Sequence, residues 1–163
     1  MEKDKMEMKT DTAGTVIEAK IKLSNFGVTW NTRLQKLLRQ GGNITFCTYS
    51  IANMPFVTRL LQTRSENVTI IMNSRYAYLA QKYKNWYPQV EMYISPDVHA
   101  KLVIAEPNIV YLSSENLGNN PGSFDATIGV ESEEAYEHYK SQVDRVLRRS
   151  NTMKIESEEY INA

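Results

Sequence analysis

Four side chains in the second half of the sequence, His99, Lys101, Ser114 and Asn116, have types and spacing that suit attack on a phosphodiester. Free imidazole titrates near about 6.5, so near neutral pH it serves either as an unprotonated nucleophile or as a protonated acid. A lysine ammonium supplies the positive charge that the non-bridging phosphate oxygens need. A hydroxyl and an amide add neutral donors. Such a set calls for no metal ion and no cofactor, and the sequence shows neither an obvious carboxylate cluster nor a Cys/His zinc pattern. One histidine cannot be both nucleophile and leaving-group acid in the same step. The chain has two histidines. His138, among Glu137, Tyr139 and Lys140 in a helical pattern, reads as a solvated surface residue. The second active histidine is therefore expected to be His99 of another subunit, as a two-fold homodimer would supply.

The segments that must position these groups alternate between strand-like and helix-like patterns. Val16–Leu23 alternates with period two, as a half-exposed strand does. Trp30, Leu34, Leu37 and Leu38 repeat at helical spacing, and Gly41-Gly42 ends that helix. Ile44–Tyr49 reads as a second strand. A helix follows, with Asn53 as its cap, Pro55 in its first turn and Phe56, Val57, Leu60 and Leu61 on one face. Val68–Met72 is apolar enough for a central strand. Ser74 is placed to cap a helix carrying Tyr76, Leu79, Tyr83 and Trp86, and Val90–Ile94 reads as a fourth strand. Two strands, about His99–Ala105 and Ile109–Ser113, then turn at Pro107-Asn108. On the first of them His99 and Lys101 would share one face, with Ala100, Leu102 and Ile104 on the other. Hairpin pairing would bring Ser114 and Asn116 to the His99 end. Ala126–Val130 reads as a strand, and Ser132 as the cap of a last helix with Tyr136, Tyr139, Val143, Val146 and Leu147 on its apolar side. The pattern predicts an α/β domain, a mixed central β-sheet flanked by helices.

A chain of 163 residues with 42% apolar composition has room for one domain with a real core. The domain is expected over 16–149, between a flexible tail at 1–15 and a second tail at 150–163. No apolar run approaches the roughly 18 residues of a membrane span, and no amphipathic membrane-binding helix stands out. Residues 1–15 are charged and polar, without a signal-peptide core. The single Cys47, in an apolar run, reads as a small buried residue, and a cytoplasmic location is expected. Formal net charge is zero; the first and last fourteen residues carry −1 and −2, which leaves +3 between them, weak support for an anionic ligand. Most of the ten tyrosines fall in strand or helix patterns and read as core or interface; Tyr49, at a strand end before Ser50, is placed to face a site. Arg33, Lys36 and Arg39, and Arg145, Arg148 and Arg149, read as solvated helix faces.

The run His99-x-Lys101-x4-Glu106-x6-Ser113-Ser114-x-Asn116 resembles the phospholipase D superfamily signature H-x-K-x4-D-x6-G-S-x-N. Thr48-Tyr49-Ser50 after the second strand is similar too, and the resemblance covers about residues 16–149. It implies a phospholipase D/nuclease-like fold and, for a chain with one copy of the motif, a dimer that completes one active site. By the resemblance His99 is the nucleophile in one subunit and the general acid in the other. Lys101 and Asn116 bind the phosphate, Ser114 supports them, and Tyr49, Ser50 and Ser113 line the substrate. Asp125, nine residues past Asn116, matches the acidic residue that orients the histidine. Two positions depart from the signature: Glu106 replaces the aspartate, which is mainly structural in the family, and Ser113 replaces the glycine.

The expected function is a metal-independent phosphodiesterase, a nuclease acting on DNA or RNA through a phosphohistidine at a site shared across a homodimer, with DNA the favoured partner and no membrane. Two alternatives stay open. One is the same chemistry on a small nucleotide or a phospholipid. The other is a degenerate, non-catalytic nucleic-acid or protein-binding module on the same fold.

Overall fold

A computed structural model describes residues 14, 16–23, 30–118 and 125–158 of the protein. The elements follow in the order β1 (Lys20–Leu23), α1 (Trp30–Arg39), β2 (Ile44–Thr48), α2 (Met54–Thr63), β3 (Val68–Asn73), a 3-10 turn (Ser74–Tyr76), α3 (Ala77–Trp86), β4 (Glu91–Ser95), β5 (Leu102–Ala105), β6 (Ile109–Ser113), β7 (Thr127–Glu131), α4 (Glu133–Leu147) and β8 (Met153–Ile155). They build an eight-stranded sheet in the order β1-β7-β6-β5-β2-β3-β4-β8. Strands β2, β3 and β4 run parallel, and every other pairing is antiparallel. The expected mixed sheet flanked by helices is the fold observed.

Alternation along the strands sorts side chains into two cores. Ile44, Phe46, Ile70, Met72 and Met92 face Leu34, Leu60 and Tyr83 of α1, α2 and α3. Cys47, Ile71, Leu102, Ile104 and Val110 face Ala135, Tyr136 and Val143 of α4. Burial on both faces explains why the central strands are nearly unbroken apolar runs. Helix ends are closed locally. Asn53 Oδ1 accepts from Phe56 N at 3.1 Å, and Ser132 Oγ accepts from Ala135 N at 3.1 Å. The Lys84 side chain is buried, with its ammonium donating to Pro88 O (2.7 Å) and Val90 O (2.9 Å) beyond the end of α3. No helix among the described residues is long and apolar enough to cross a membrane.

Several sequence expectations need correction. The first strand starts at Lys20 rather than Val16, because its partner β7 ends at Glu131, opposite Lys20. The 3-10 turn into α3 is capped by Asn73, not Ser74. Strand β5 begins at Leu102, since its ladder with β2 runs out at Cys47↔Leu102; His99 and Lys101 precede the strand, and Ala100 is exposed rather than in the core. Residues 153–155, expected in a tail, pair with β4 as the edge strand β8, so the sheet extends past residue 149. The expected tail at 1–15 lies outside the described residues apart from residue 14.

Glu106, in the β5–β6 turn, fastens one end of the β2–β5 pair. Its carboxylate accepts from Asn43 N (2.9 Å) and from Asn43 Nδ2 (3.0 Å), while Glu106 N donates to Asn43 O at 3.0 Å. The backbone hydrogen bond, then the side-chain one, holds its carboxyl below the usual range around 4.5. A depressed folded-state pKa gives stability that is present above the unfolded value and lost as pH falls through the folded one. Glu106→Gln is therefore expected to lower stability at pH 7. Urea denaturation should show the difference from wild type shrinking as pH drops below about 4.5; a difference independent of pH contradicts the ionic role.

At the other side of β6, Gly129 of β7 lies under Tyr111. A Cβ there would sit 2.8 Å from Tyr111 Cε1, and the Arg33 guanidinium stands 5.6 Å above the same ring, which limits its room to move. Gly129→Ala is expected to destabilise the fold by about 1–3 kcal/mol through overpacking, read from the urea midpoint; a neutral effect would show that the ring yields freely.

Candidate active site

The motif residues gather at the opposite end of β2–β5 from Glu106, where β2, β3 and β6 end and β5 and β7 begin. His99 is exposed in the loop that follows β4. That loop is tied to the sheet by Asn73, the last residue of β3 and only 6% exposed. Asn73 Nδ2 donates to Pro96 O (3.1 Å) and Val98 O (2.9 Å), and its Oδ1 accepts from Arg75 N (3.0 Å). One amide thus sets both the approach to His99 and the turn that carries Tyr76. Asp97 is held from outside by Arg149 (2.8 Å) and Asn151 (3.1 Å), and these bonds keep its carboxyl below the usual range. The His99 ring lies 5.2 Å from the Tyr49 ring.

Lys101 is half-buried; its carbonyl accepts from Ser113 N at 3.0 Å, which docks the two motif segments, and its ammonium reaches His99 O at 3.3 Å. Ser113 Oγ accepts from Glu115 N at 3.1 Å and lies 3.4 Å from Thr127 Oγ1, so the serine that replaces the signature glycine is absorbed into the turn. Asn116 Oδ1 accepts from Ser50 N at 3.3 Å, which leaves Nδ2 as the donor end of the amide. Thr48 reinforces the joint: its hydroxyl donates to Ser50 O (2.6 Å) and accepts from Leu117 N (2.9 Å). Gly118 takes φ +73°, with Asn53 O, Phe56 and Val57 all 3.2 Å from where a Cβ would stand. The loop lies this close to the start of α2, whose first turn is closed by Asn53, through Oδ1 to Phe56 N and through its carbonyl to Val57 N.

Two expected roles change. The Ser114 hydroxyl accepts from Ala126 N and donates to Asp125 Oδ1, both at 3.1 Å, so it braces the turn. The hydrogen bond the structure gives the Asp125 carboxylate goes to Ser114, not to His99. Asp125 Oδ2 is buried and has no hydrogen-bond partner among the described residues. Beside it, the Glu115 carboxyl is pushed up, first by burial and then by the charge and hydrogen bonding of Asp125, against the pull of Lys101. Glu106, grouped with the site by its motif position, is not brought to it.

Three contributors escaped the sequence reading: Asn73, Glu115 and Tyr76. The sequence reading placed the cap at Ser74, and nothing in sequence showed that the Asn73 amide reaches residues 96 and 98. Glu115 occupies the variable position between Ser114 and Asn116. Cys47 is buried, and burial pushes its thiol up to about 12, which removes it as a nucleophile. His138 is exposed on α4 against Tyr139. A cavity of about 200 Å³ opens between His99 and α4, lined largely by apolar groups including Val98, Leu102, Tyr139 and Val143.

No family model matches the sequence, and no curated protein does. Solved structures do. Nuc from Salmonella typhimurium, described as a phospholipase D family member, aligns with TM-score 0.65 at 14% identity, over 86% of this chain and 99% of its own. NucT from Helicobacter pylori aligns with TM-score 0.67 at 16% identity, over 85% of this chain and 100% of its own. Phosphatidylserine synthase from Haemophilus influenzae aligns with TM-score 0.60 at 13% identity, over 84% of this chain and 40% of its own. The sheet order, the helix placement and these alignments agree: the fold of this chain is that of the phospholipase D superfamily.

Proposed function

We propose that the protein is a metal-independent phosphodiesterase that cleaves nucleic acid through a phosphohistidine, at a site completed by a second copy of the chain. The observation that carries this reading is the docking of the two motif segments at one end of the central strands: Ser113 N on Lys101 O, Asn116 on Ser50, and His99 beside Tyr49. Support also comes from the near end-to-end alignment with Nuc and NucT, which are close to this chain in length.

In this reading an imidazole nitrogen of His99 attacks phosphorus in line with the leaving oxygen. The P–N bond forms as the P–O bond breaks, and the imidazolium of the partner subunit's His99 gives its proton to the departing oxygen. That second imidazole, now neutral, takes a proton from water, whose oxygen displaces the phosphoryl group from the first. Lys101 and the Asn116 Nδ2 donors hold the non-bridging oxygens as charge accumulates.

The cavity between His99 and α4 favours a second reading, in which the same chemistry acts on a phosphodiester with an apolar substituent. Vesicles of phosphatidylcholine and bis(p-nitrophenyl) phosphate, assayed beside DNA and RNA, separate the two.

Cleavage of nucleic acid is expected to persist in EDTA and to fall by roughly 10³-fold or more in His99→Ala. Failure to turn over nucleic acid, bis(p-nitrophenyl) phosphate or phospholipid would sink the enzymatic reading and leave a binding module. Asn73→Ala frees the approach to His99 without touching substrate, so kcat should fall by as much as roughly 100-fold while KM stays near wild type. Equal loss of stability and activity, with KM rising, would mark Asn73 as a fold residue only.

A further inference from the structure

Three tyrosines lead away from His99 in a continuous ring-to-ring series. The Tyr49 ring stands 5.2 Å from His99 at 51° and 5.3 Å from Tyr76 at 77°; Tyr76 stands 6.5 Å from Tyr78 at 42°. Tyr49 leaves the end of β2, Tyr76 closes the 3-10 turn after β3, and Tyr78 sits in the first turn of α3. Burial falls along the series: Tyr49 and Tyr76 are half-buried, and Tyr78 is 67% exposed. The tilted and edge contacts leave ring surface uncovered, and an exposed tyrosine ring at the outer end has no packing role in either core. Arg75, exposed in the same turn, adds a positive charge beside the series, as Lys101 does at its inner end.

We infer that Tyr49, Tyr76 and Tyr78 form a stacking track for successive unpaired bases, so that the substrate is a single-stranded nucleic acid. This rests on the phosphodiesterase reading and narrows its substrate. In a duplex each base is already stacked on its neighbours, and its faces are closed to a side chain. In a single strand every base has a free π-face, and stacking on an aromatic ring is sequence-tolerant. A mononucleotide would use one ring; three rings in series call for a strand that runs past the scissile phosphate. Asn73 links the chemistry to the track, because its amide fixes both the His99 loop and the turn that carries Tyr76.

The test measures binding by fluorescence anisotropy on His99→Ala, which still holds all three tyrosines. The probes are a single-stranded oligonucleotide, the matching duplex, and a single strand of the same length with abasic sites. The single strand should bind more tightly than the duplex. Tyr78→Ala in that background should weaken the base-bearing strand by roughly 5- to 150-fold and leave the abasic strand unchanged. Equal effects on the two strands, no effect on either, or duplex affinity matching the single strand overturns the track. A Tyr78→Ala protein whose solution mass falls from dimer to monomer also overturns it, since the ring then belongs to an interface between copies. Wild-type turnover of bis(p-nitrophenyl) phosphate, assayed in parallel, separates the failures. Turnover without a base-dependent effect of Tyr78 removes the track and keeps the phosphodiesterase; absence of both turnover and binding removes both.

Discussion

The seam between β2 and β5 is the constraint on which the rest of the molecule depends. There the parallel strands β2, β3 and β4 meet the antiparallel run β5, β6, β7 and β1, in the register Ile44↔Ala105 to Cys47↔Leu102. That register sets residue 101 beside the end of β2, and the next pairing, Leu102↔Leu112, sets residue 113 opposite 101. Two motif segments separated by a whole hairpin are thereby brought to one end of the central strands. Ligand sites in open sheets gather where the strand order reverses, because the chain segments diverge there and leave a crevice. Glu106 holds the far end of the same seam through Asn43. A slip of one residue along it would turn every apolar side chain of β5 to the wrong core.

The fold was legible because its signals are local. Val68–Met72 reads as a buried strand from composition alone, and Asn53 and Ser132 announce helix starts through hydrogen bonds that span three residues. The errors fall where a distant partner decides. Lys20 begins its strand because β7 ends opposite it, and Met153–Ile155 is a strand only because β4 offers an open edge. The site was legible as a set of residue types, but less so as a set of roles. Period-two alternation placed His99 and Lys101 on a strand, whereas they stand in a loop whose shape Asn73 dictates. Spacing matched Asp125 to an orienting acid, whereas its described hydrogen bond goes to Ser114. Position in the motif grouped Glu106 with the site, whereas its bond to Asn43 is at the other end of the seam.

Electrostatics at the motif end are finely divided. The Lys101 ammonium favours the ionised form of the neighbouring Glu115 carboxyl, which Asp125 and burial disfavour. Burial first, and then the charge of Asp125, push the Glu115 carboxyl up, against the pull of Lys101. Ser113 fits the same economy: its hydroxyl accepts Glu115 N and so helps to hold that segment against the turn. The two departures from the signature, Glu106 and Ser113, each have a hydrogen-bond partner that absorbs the difference.

In the proposed mechanism a single copy of the motif supplies one nucleophile and no second acid, so two copies of His99 must act at one site. The most direct test refolds wild-type and His99→Ala subunits together at varied ratios and measures phosphodiester turnover. A shared site requires both histidines, so activity should fall as the square of the wild-type fraction. A linear fall would show that each subunit works alone, and would contradict the account.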